Sequence, residues 1–324
     1  MRRGPAAWLL LPLALLFGLL ARLRRAGFRT GLFSSQKLPV PVVVVGNIFI
    51  GGTGKTPFVI WLLDALRRAG FHPGVVSRGH GAQADVPRVV EENAQAADAG
   101  DEPLLIARRG CPVVVGRRRV EAGRLLIERF PEVDVIVSDD GLQHYALQRD
   151  IEIVLSDARG EGNGWLLPAG PLREPPTRGR DFSIVNSAPA AAPAWRMDLA
   201  PGTLTRLDGR GETTLAALAG QGQQRLRITA AAGIGNPERF FSMLRGAGLR
   251  FDAMPLPDHF DFDGFTFAGS KADAILITEK DAVKCRHVPA LAQDARIWVV
   301  PVAAQLDAAL AAQIVEKLHG CATV

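Results

Sequence analysis

The chain has 324 residues, 48% of them hydrophobic and 22% charged, which is enough apolar content for one large or two modest cores and rules out wholesale disorder. Its net charge of +5 sits at one end: residues 1–37 carry seven basic side chains and no acid, and the rest holds 31 basic against 33 acidic residues. That distribution argues against a nucleic-acid-binding face, and three scattered cysteines, Cys111, Cys285 and Cys321, argue against a disulfide framework.

Trp8–Leu20 reads WLLLPLALLFGLL, apolar on every face, which does not fit an amphipathic surface helix. A helix of that length spans roughly 20 Å, short of the roughly 30 Å hydrocarbon core, and Pro12 and Gly18 would kink or soften it. Arg22, Arg24 and Arg25 follow where a signal peptide needs small cleavage residues. The pattern predicts a helix embedded in one leaflet, its arginines on anionic headgroups. A full span and a buried core helix are the competing readings.

From residue 38 strand-like and helix-like runs alternate, which predicts a parallel sheet covered on both faces. Val40–Val45 is a β-branched strand candidate, Thr56–Ala69 has helical spacing and stops at Gly70, and His72–Val76 is the next strand. Residues 82–100 have the composition of a solvated loop. Asp101 begins a helix with Pro103 in its first turn, and capping is the simplest role for its carboxylate. Strands follow at Pro112–Val115, Asp134–Ser138, Ile151–Leu155 and Phe182–Val185, with a helix at Arg118–Phe130. After an Ala/Pro-rich stretch at 187–194, a hairpin turns at Asp208-Gly209. A second α/β unit then has strands at Leu226–Ala231, Ala274–Thr278 and Ile297–Val302 and helices at Pro237–Gly246 and Asp307–Leu318.

The strongest chemical signal is Gly51-Gly52-Thr53-Gly54-Lys55-Thr56, between a predicted strand and a predicted helix. Glycines let backbone N–H groups approach phosphate oxygens, and a helix N-terminus adds positive potential. Lys55 can reach the β- and γ-phosphates of a nucleoside triphosphate, and the Thr56 hydroxyl can ligate Mg²⁺. Phe49 stands where a strict phosphate-loop pattern has glycine. Asp139 and Asp140 end an apolar strand, where α/β sheets place ligands, and either can hold Mg²⁺. Asp101 is a candidate base, His259 a candidate orienting group, and Arg78, Arg117, Arg119 and Arg173 candidate phosphate clamps, with solvation the default for each arginine.

These motifs and their order resemble the tetraacyldisaccharide 4'-kinase family of lipid A biosynthesis. The resemblance is carried by Val45-Gly46-Asn47, the glycine-rich run through Pro57, Ser77-Arg78-Gly79, Gly100-Asp101-Glu102-Pro103 and Asp139 through His144. Gly170 through Pro175, Gly233 through Pro237, Asp258-His259 and Thr278 through Lys284 continue it. The resemblance implies Mg-ATP-dependent phosphorylation of the 4'-hydroxyl of a tetraacyl glucosamine disaccharide 1-phosphate, giving lipid IVA, at the cytoplasmic face of the inner membrane. It implies Asp101 as base helped by His259, Arg173 in catalysis, Asp139 and Asp140 on the metal, and Lys55 and Thr56 on the phosphates. It also implies a P-loop domain joined by a two-stranded linker to a smaller α/β domain. The expected division is 1–37 membrane helix and basic flank, 38–194 kinase domain, 195–215 linker hairpin and 216–324 smaller domain, with no nucleic-acid or protein partner. Phe49 and His80 depart from the family pattern, which has a small hydroxyl residue and an aromatic there. A P-loop switch is the alternative; Thr278-Glu279-Lys280-Asp281 lacks the order that guanine recognition favours.

Overall fold

The computed structural model describes residues 3–79, 86–190, 192–220 and 226–321. The described chain opens with a helix, Pro5–Arg29 (α1). Strands and helices then alternate as Val42–Asn47 (β1), Lys55–Arg68 (α2), Pro73–Ser77 (β2), Arg88–Val89 (β3), Ala96–Ala99 (α3), Asp101–Ala107 (α4), Val113–Val115 (β4), Arg119–Arg129 (α5), Val135–Asp139 (β5), Ile151–Asp157 (β6), Phe182–Asn186 (β7) and Trp195–Pro201 (β8). Next come Leu204–Arg206 (β9), Glu212–Thr213 (β10), Leu215–Gly220 (α6), Ile228–Ala232 (β11), Pro237–Gly246 (α7), Asp252–Pro255 (β12), Ala274–Thr278 (β13), Glu279–Cys285 (α8), Pro289–Ala292 (α9) and Ile297–Val300 (β14). Val302–Gln305 (β15) and Ala308–His319 (α10) complete the order.

The strands form a nine-stranded sheet, β15-β8-β7-β6-β1-β5-β2-β4-β3, and a six-stranded sheet, β10-β9-β14-β13-β11-β12. β1, reading VVVVGN, is buried at every position, as a central parallel strand must be when helices cover both faces. On one face Phe58, Leu62 and Leu66 of α2 pack with Leu104 of α4; on the other Leu126 of α5 packs on Val44 and Ile136. This is the mixed α/β fold expected from the alternation. The carboxyl ends of β1 and β5 lie side by side, with Val45 in register with Asp139.

Four expectations change. Ile297–Val302 is not one strand, because Pro301 has no N–H to give to a ladder and interrupts it. β14 stays in the smaller sheet, and β15 pairs antiparallel with β8 in the larger. α10 follows β15: Leu310, Ile314 and Leu318 recur at helical spacing and are buried in the core of the larger sheet, in one cluster with Phe58 and Leu62. The end of the chain, expected with the smaller domain at 216–324, therefore packs with the larger one. The hairpin expected at 195–215 is likewise shared: β8 belongs to the larger sheet, while β9 and β10 pair antiparallel across Asp208-Gly209 in the smaller. The chain crosses between sheets at 202–203 and at Pro301, and Gly202 N–H donates to the Pro301 carbonyl at 2.9 Å. Within 82–100, β3 pairs with β4 and α3 adds one turn; 82–85 and His80 lie outside the described residues.

α1 is longer than its apolar run suggested and continues through Pro12. Only Ala14, Gly18 and Gly27 of its residues are buried, a narrow small-residue contact that lets Leu166 pack against Gly18. Trp8 meets the Trp165 ring edge-on at 4.8 Å, and Phe28 packs on Tyr145. Leu9, Leu13, Leu15, Leu16, Leu19, Leu20 and Leu23 are exposed, so a buried core helix is excluded. By length and composition α1 is apolar enough to cross a membrane, with a mean hydropathy of 2.0.

Candidate active site

The glycine-rich loop is held by its carbonyls. Arg159 donates to the carbonyls of Ile50 (3.4 Å) and Gly52 (2.9 Å), Asn47 to that of Gly51 (3.1 Å), and Asn186 to that of Thr53 (2.9 Å). In a trans peptide the N–H points opposite to the preceding C=O. Pinning four consecutive carbonyls therefore turns the N–H groups of Gly51, Gly52, Thr53 and Gly54 the other way, the arrangement of an anion-binding nest. Gly51 and Gly54 have φ of +92° and +89°, and a Cβ on Gly54 would lie 2.2 Å from Asn186 Nδ2. α2 starts at Lys55, so the nest opens onto a helix N-terminus. Phe49, the departure from the glycine pattern, lies under the Arg159 guanidinium at 4.4 Å.

Lys55 Nζ is 2.8 Å from Asn47 Oδ1 and 3.4 Å from Asp140 Oδ1. Asp140, the second of the two strand-end acids, is thus beside the loop lysine. Asp140, at φ +50°, also pairs with Arg173 Nη1 at 3.2 Å. Arg173 reaches it because its N–H bonds to the Ile48 carbonyl and Phe49 bridges Leu172, which lays the 170–175 segment along the loop. Burial raises the Asp140 pKa, but Lys55 and Arg173 outweigh it and hold the carboxyl below its ordinary value. Asp139 is 3% exposed and differs. Its Oδ2 is 3.4 Å from Ser77 Oγ, and its Oδ1 has no hydrogen-bond partner among the described residues. Burial, then the Glu102 charge, pushes it up to about 7 against the pull of Lys55.

Asp101 does not cap α4. Gly100, at φ +88°, is the N-cap, and the buried Asp101 carboxylate turns toward the smaller unit. There its Oδ2 lies 3.1 Å from His259 Nδ1 and 3.2 Å from Lys284 Nζ. A carboxylate only accepts, so His259 Nδ1 donates to Asp101, while Nε2 lies 3.5 Å from Lys280 Nζ and 3.9 Å from Asp258 Oδ1. His259 itself has φ +57°, with its N–H on the Gly233 carbonyl. Lys280 also pairs with Glu102 at 3.2 Å. Burial raises the Glu102 pKa, but Lys280 and Lys55 outweigh it, so the carboxyl stays below its ordinary value.

Between the phosphate loop and the smaller unit lies a cleft of about 510 Å³. Lys55, Thr56 and Glu102 line its polar end, and Ile60, Leu199, Phe240 and Met243 give it apolar walls suited to a nucleotide base. The structure thus gathers Gly52–Thr56, Asp139, Asp140 and Arg173 around one strand end, and Asp101 with His259 at the unit boundary next to Glu102. Arg78 is exposed, whereas Arg119, expected on the surface by default, is buried; burial lowers its pKa to about 10. Asn47, Glu102, Asn186, Lys280 and Lys284 had no role in the sequence reading. Four of them lie inside the quoted motifs, but only the tertiary contacts give them work; Asn186, at the end of β7, carried no signal.

The chain matches the LpxK family, tetraacyldisaccharide-1-P 4'-kinase, over residues 6–319. It is 59% identical to a tetraacyldisaccharide 4'-kinase of Herminiimonas arsenicoxydans over 98% of this chain and 94% of that one. The corresponding protein of Dechloromonas aromatica (strain RCB) is 49% identical over 98% of this chain and 95% of its own length. A crystal structure of LpxK from Aquifex aeolicus in complex with ATP superposes with a TM-score of 0.80, at 28% identity, covering 97% of this chain and 99% of that one. A full-length family match, relatives at this identity and a site with a loop nest, strand-end acids and a unit-spanning Asp–His pair lead to one conclusion: the chain belongs to the tetraacyldisaccharide-1-P 4'-kinase family.

Proposed function

We propose that this protein transfers the γ-phosphoryl group of ATP to the 4'-hydroxyl of tetraacyldisaccharide 1-phosphate, giving lipid IVA and ADP. The observation that carries the reading is the placement of Lys55, 3.4 Å from Asp140, in the cleft that Glu102 joins to the Asp101–His259 pair. In this reading the loop amides and Lys55 bind the triphosphate, and Arg173 balances charge on the transferring group. Asp101 accepts the proton of the attacking hydroxyl at its carboxylate. His259, donating from Nδ1, orients that carboxylate, and Lys284 Nζ lies 3.2 Å from it.

Mg²⁺ would be held by Thr56, Asp139 and Asp140, and when bound it neutralises charge on the β- and γ-phosphates. The donor set fits such an ion: Asp139 offers a buried oxygen with no partner among the described residues, and hard carboxylate and hydroxyl oxygens suit magnesium. No cluster of three or more metal-binding side chains occurs among the described residues, which accords with a metal completed by substrate phosphates.

The larger and smaller units are proposed as kinase and lid domains, with α1 resting on a membrane surface that holds the lipid. The exposed leucines of α1, with Arg22, Arg24, Arg25 and Arg29 in its second half, support attachment to the cytoplasmic face of the inner membrane. Attachment raises the effective concentration of an acceptor that cannot leave the bilayer. A transfer assay with labelled ATP and the purified disaccharide lipid tests the proposal. Label in the lipid supports it; phosphate release that proceeds equally well without lipid would instead favour a switch ATPase.

A further inference from the structure

The phosphate loop is connected to the smaller unit through one buried carboxylate. Asp157 ends β6 and is 4% exposed. It accepts from the Arg159 backbone N–H (3.0 Å), from Arg159 Nε (2.9 Å) and from Arg159 Nη2 (2.8 Å). It also accepts from Arg239 Nη2 at 2.8 Å, and Arg239 comes from the first turns of α7 in the smaller unit. Burial works against this carboxylate's charge, but the Arg159 hydrogen bonds and the two guanidinium charges hold it ionised. Arg159 carries the connection forward, since the same guanidinium grips the Ile50 and Gly52 carbonyls and thereby aims the Gly51 and Thr53 amides. Near this point the units also approach by backbone: a Cβ on Gly235 would stand 3.6 Å from the Gly52 nitrogen.

We propose that Asp157, Arg159 and Arg239 form a positioning latch that sets the phosphate-binding amides only while the smaller unit is docked. Arg159 shapes the loop, Asp157 holds Arg159 in one rotamer, and Arg239 completes the charge around Asp157 from across the cleft. Without Arg239 the carboxylate keeps one partner, the small unit loses its tie to the loop, and the amide nest loosens. The latch rests on the nucleotide reading of the cleft, and it adds residues outside the loop, the strand-end acids and the Asp101–His259 pair.

The test compares Arg239→Gln, Arg239→Lys, Asp157→Asn and the Arg239→Gln/Asp157→Asn double variant in the full chain. The readouts are KM for ATP and for lipid, kcat, and the affinity for a non-hydrolysable ATP analogue by calorimetry. Arg239→Gln should raise KM for ATP and weaken analogue binding about tenfold, with the loss falling on ATP rather than on lipid KM. Arg239→Lys should recover most of it, because a single donor reaches Asp157. The double variant should be within about twofold of Asp157→Asn alone, since Asp157→Asn already removes the charge that Arg239 pairs with. Unchanged analogue affinity in Arg239→Gln overturns the latch. So does additivity in the double variant, which would mean that Arg239 binds phosphate directly. Equal rises in both KM values, accompanied by a lower melting temperature, would mean a merely structural contact and also overturn it. Failure of the wild-type chain to phosphorylate the lipid would count against the functional reading alone, because the calorimetric comparison still decides the latch.

Discussion

Asp139→Asn should make the protein more stable and inactive at once. The wild-type carboxyl is buried, has one oxygen without a partner among the described residues, and is pushed up to about 7 from an ordinary value near 4. At about 1.4 kcal/mol for each pH unit, a three-unit rise means that ionising Asp139 in the folded protein costs about 4 kcal/mol at most. The sign follows from linkage. A carboxyl whose folded pKa is raised contributes stability that is complete below about pH 4 and is lost as the pH rises through about 7. Asparagine has no charge to bury, and its amide can donate to Ser77 Oγ, the existing neighbour of Oδ2. With chelator present and nucleotide absent, thermal unfolding in detergent at pH 8 should show the variant melting higher by roughly 4–8 °C, for 2–4 kcal/mol at about 2 °C each. The gap should shrink as pH falls below 7 and close near pH 4. Phosphoryl transfer should be lost throughout. A variant that melts at or below the wild type at pH 8, or a gap of equal size at pH 5 and pH 8, would refute the reasoning, since both outcomes deny a buried charge at this position.

Other consequences are as direct. Asp101→Ala should lower turnover by about 10²–10⁴-fold, the usual worth of a positioned base, while leaving the affinity for ATP within a few-fold; near-wild-type turnover in the lipid assay removes it from that role. Gly54→Ala should abolish nucleotide binding, because φ is +89° and the new Cβ would fall 2.2 Å from Asn186 Nδ2; calorimetry with an ATP analogue reads this out, and wild-type affinity would mean that the loop adapts freely. Deleting residues 1–25 should reduce co-flotation with anionic vesicles, with the soluble transfer chemistry surviving on detergent-dispersed lipid; unchanged flotation would place the membrane contact elsewhere.

Much of this protein is legible before any coordinates. Valine-rich runs at β1 and β5 leave no polar face, so they must be central strands. Gly51 through Thr56 reads as a glycine-rich turn between a strand and a helix, and the structure places it there, with φ positive at Gly51 and Gly54. The run Trp8–Leu20 could be read as a helix with no polar face, and most of its leucines are exposed in the structure. Such signals are local: they depend on residues within one or two turns of one another, whose geometry the chain itself imposes. What the local pattern misjudged had long-range causes. Asp101 looks like a cap because Asp before Glu-Pro opens many helices, yet Gly100 takes that position and the carboxylate answers His259 and Lys284, more than 150 residues later. The Ile297–Val302 run reads as one strand, but β15 leaves for the larger sheet because β8 has an open edge there. Asn186 and Arg159 carry no motif, and their work, pinning loop carbonyls, exists only once β6 and β7 lie beside β1. Composition, periodicity and turn chemistry thus determined which elements form and where the glycine-rich loop joins strand to helix. Packing of distant segments alone decided which carboxylate is buried against a single serine, which is neutralised by two cations, and which acid meets a histidine, because burial and charge pairing are properties of the assembled neighbourhood and not of the chain around each residue.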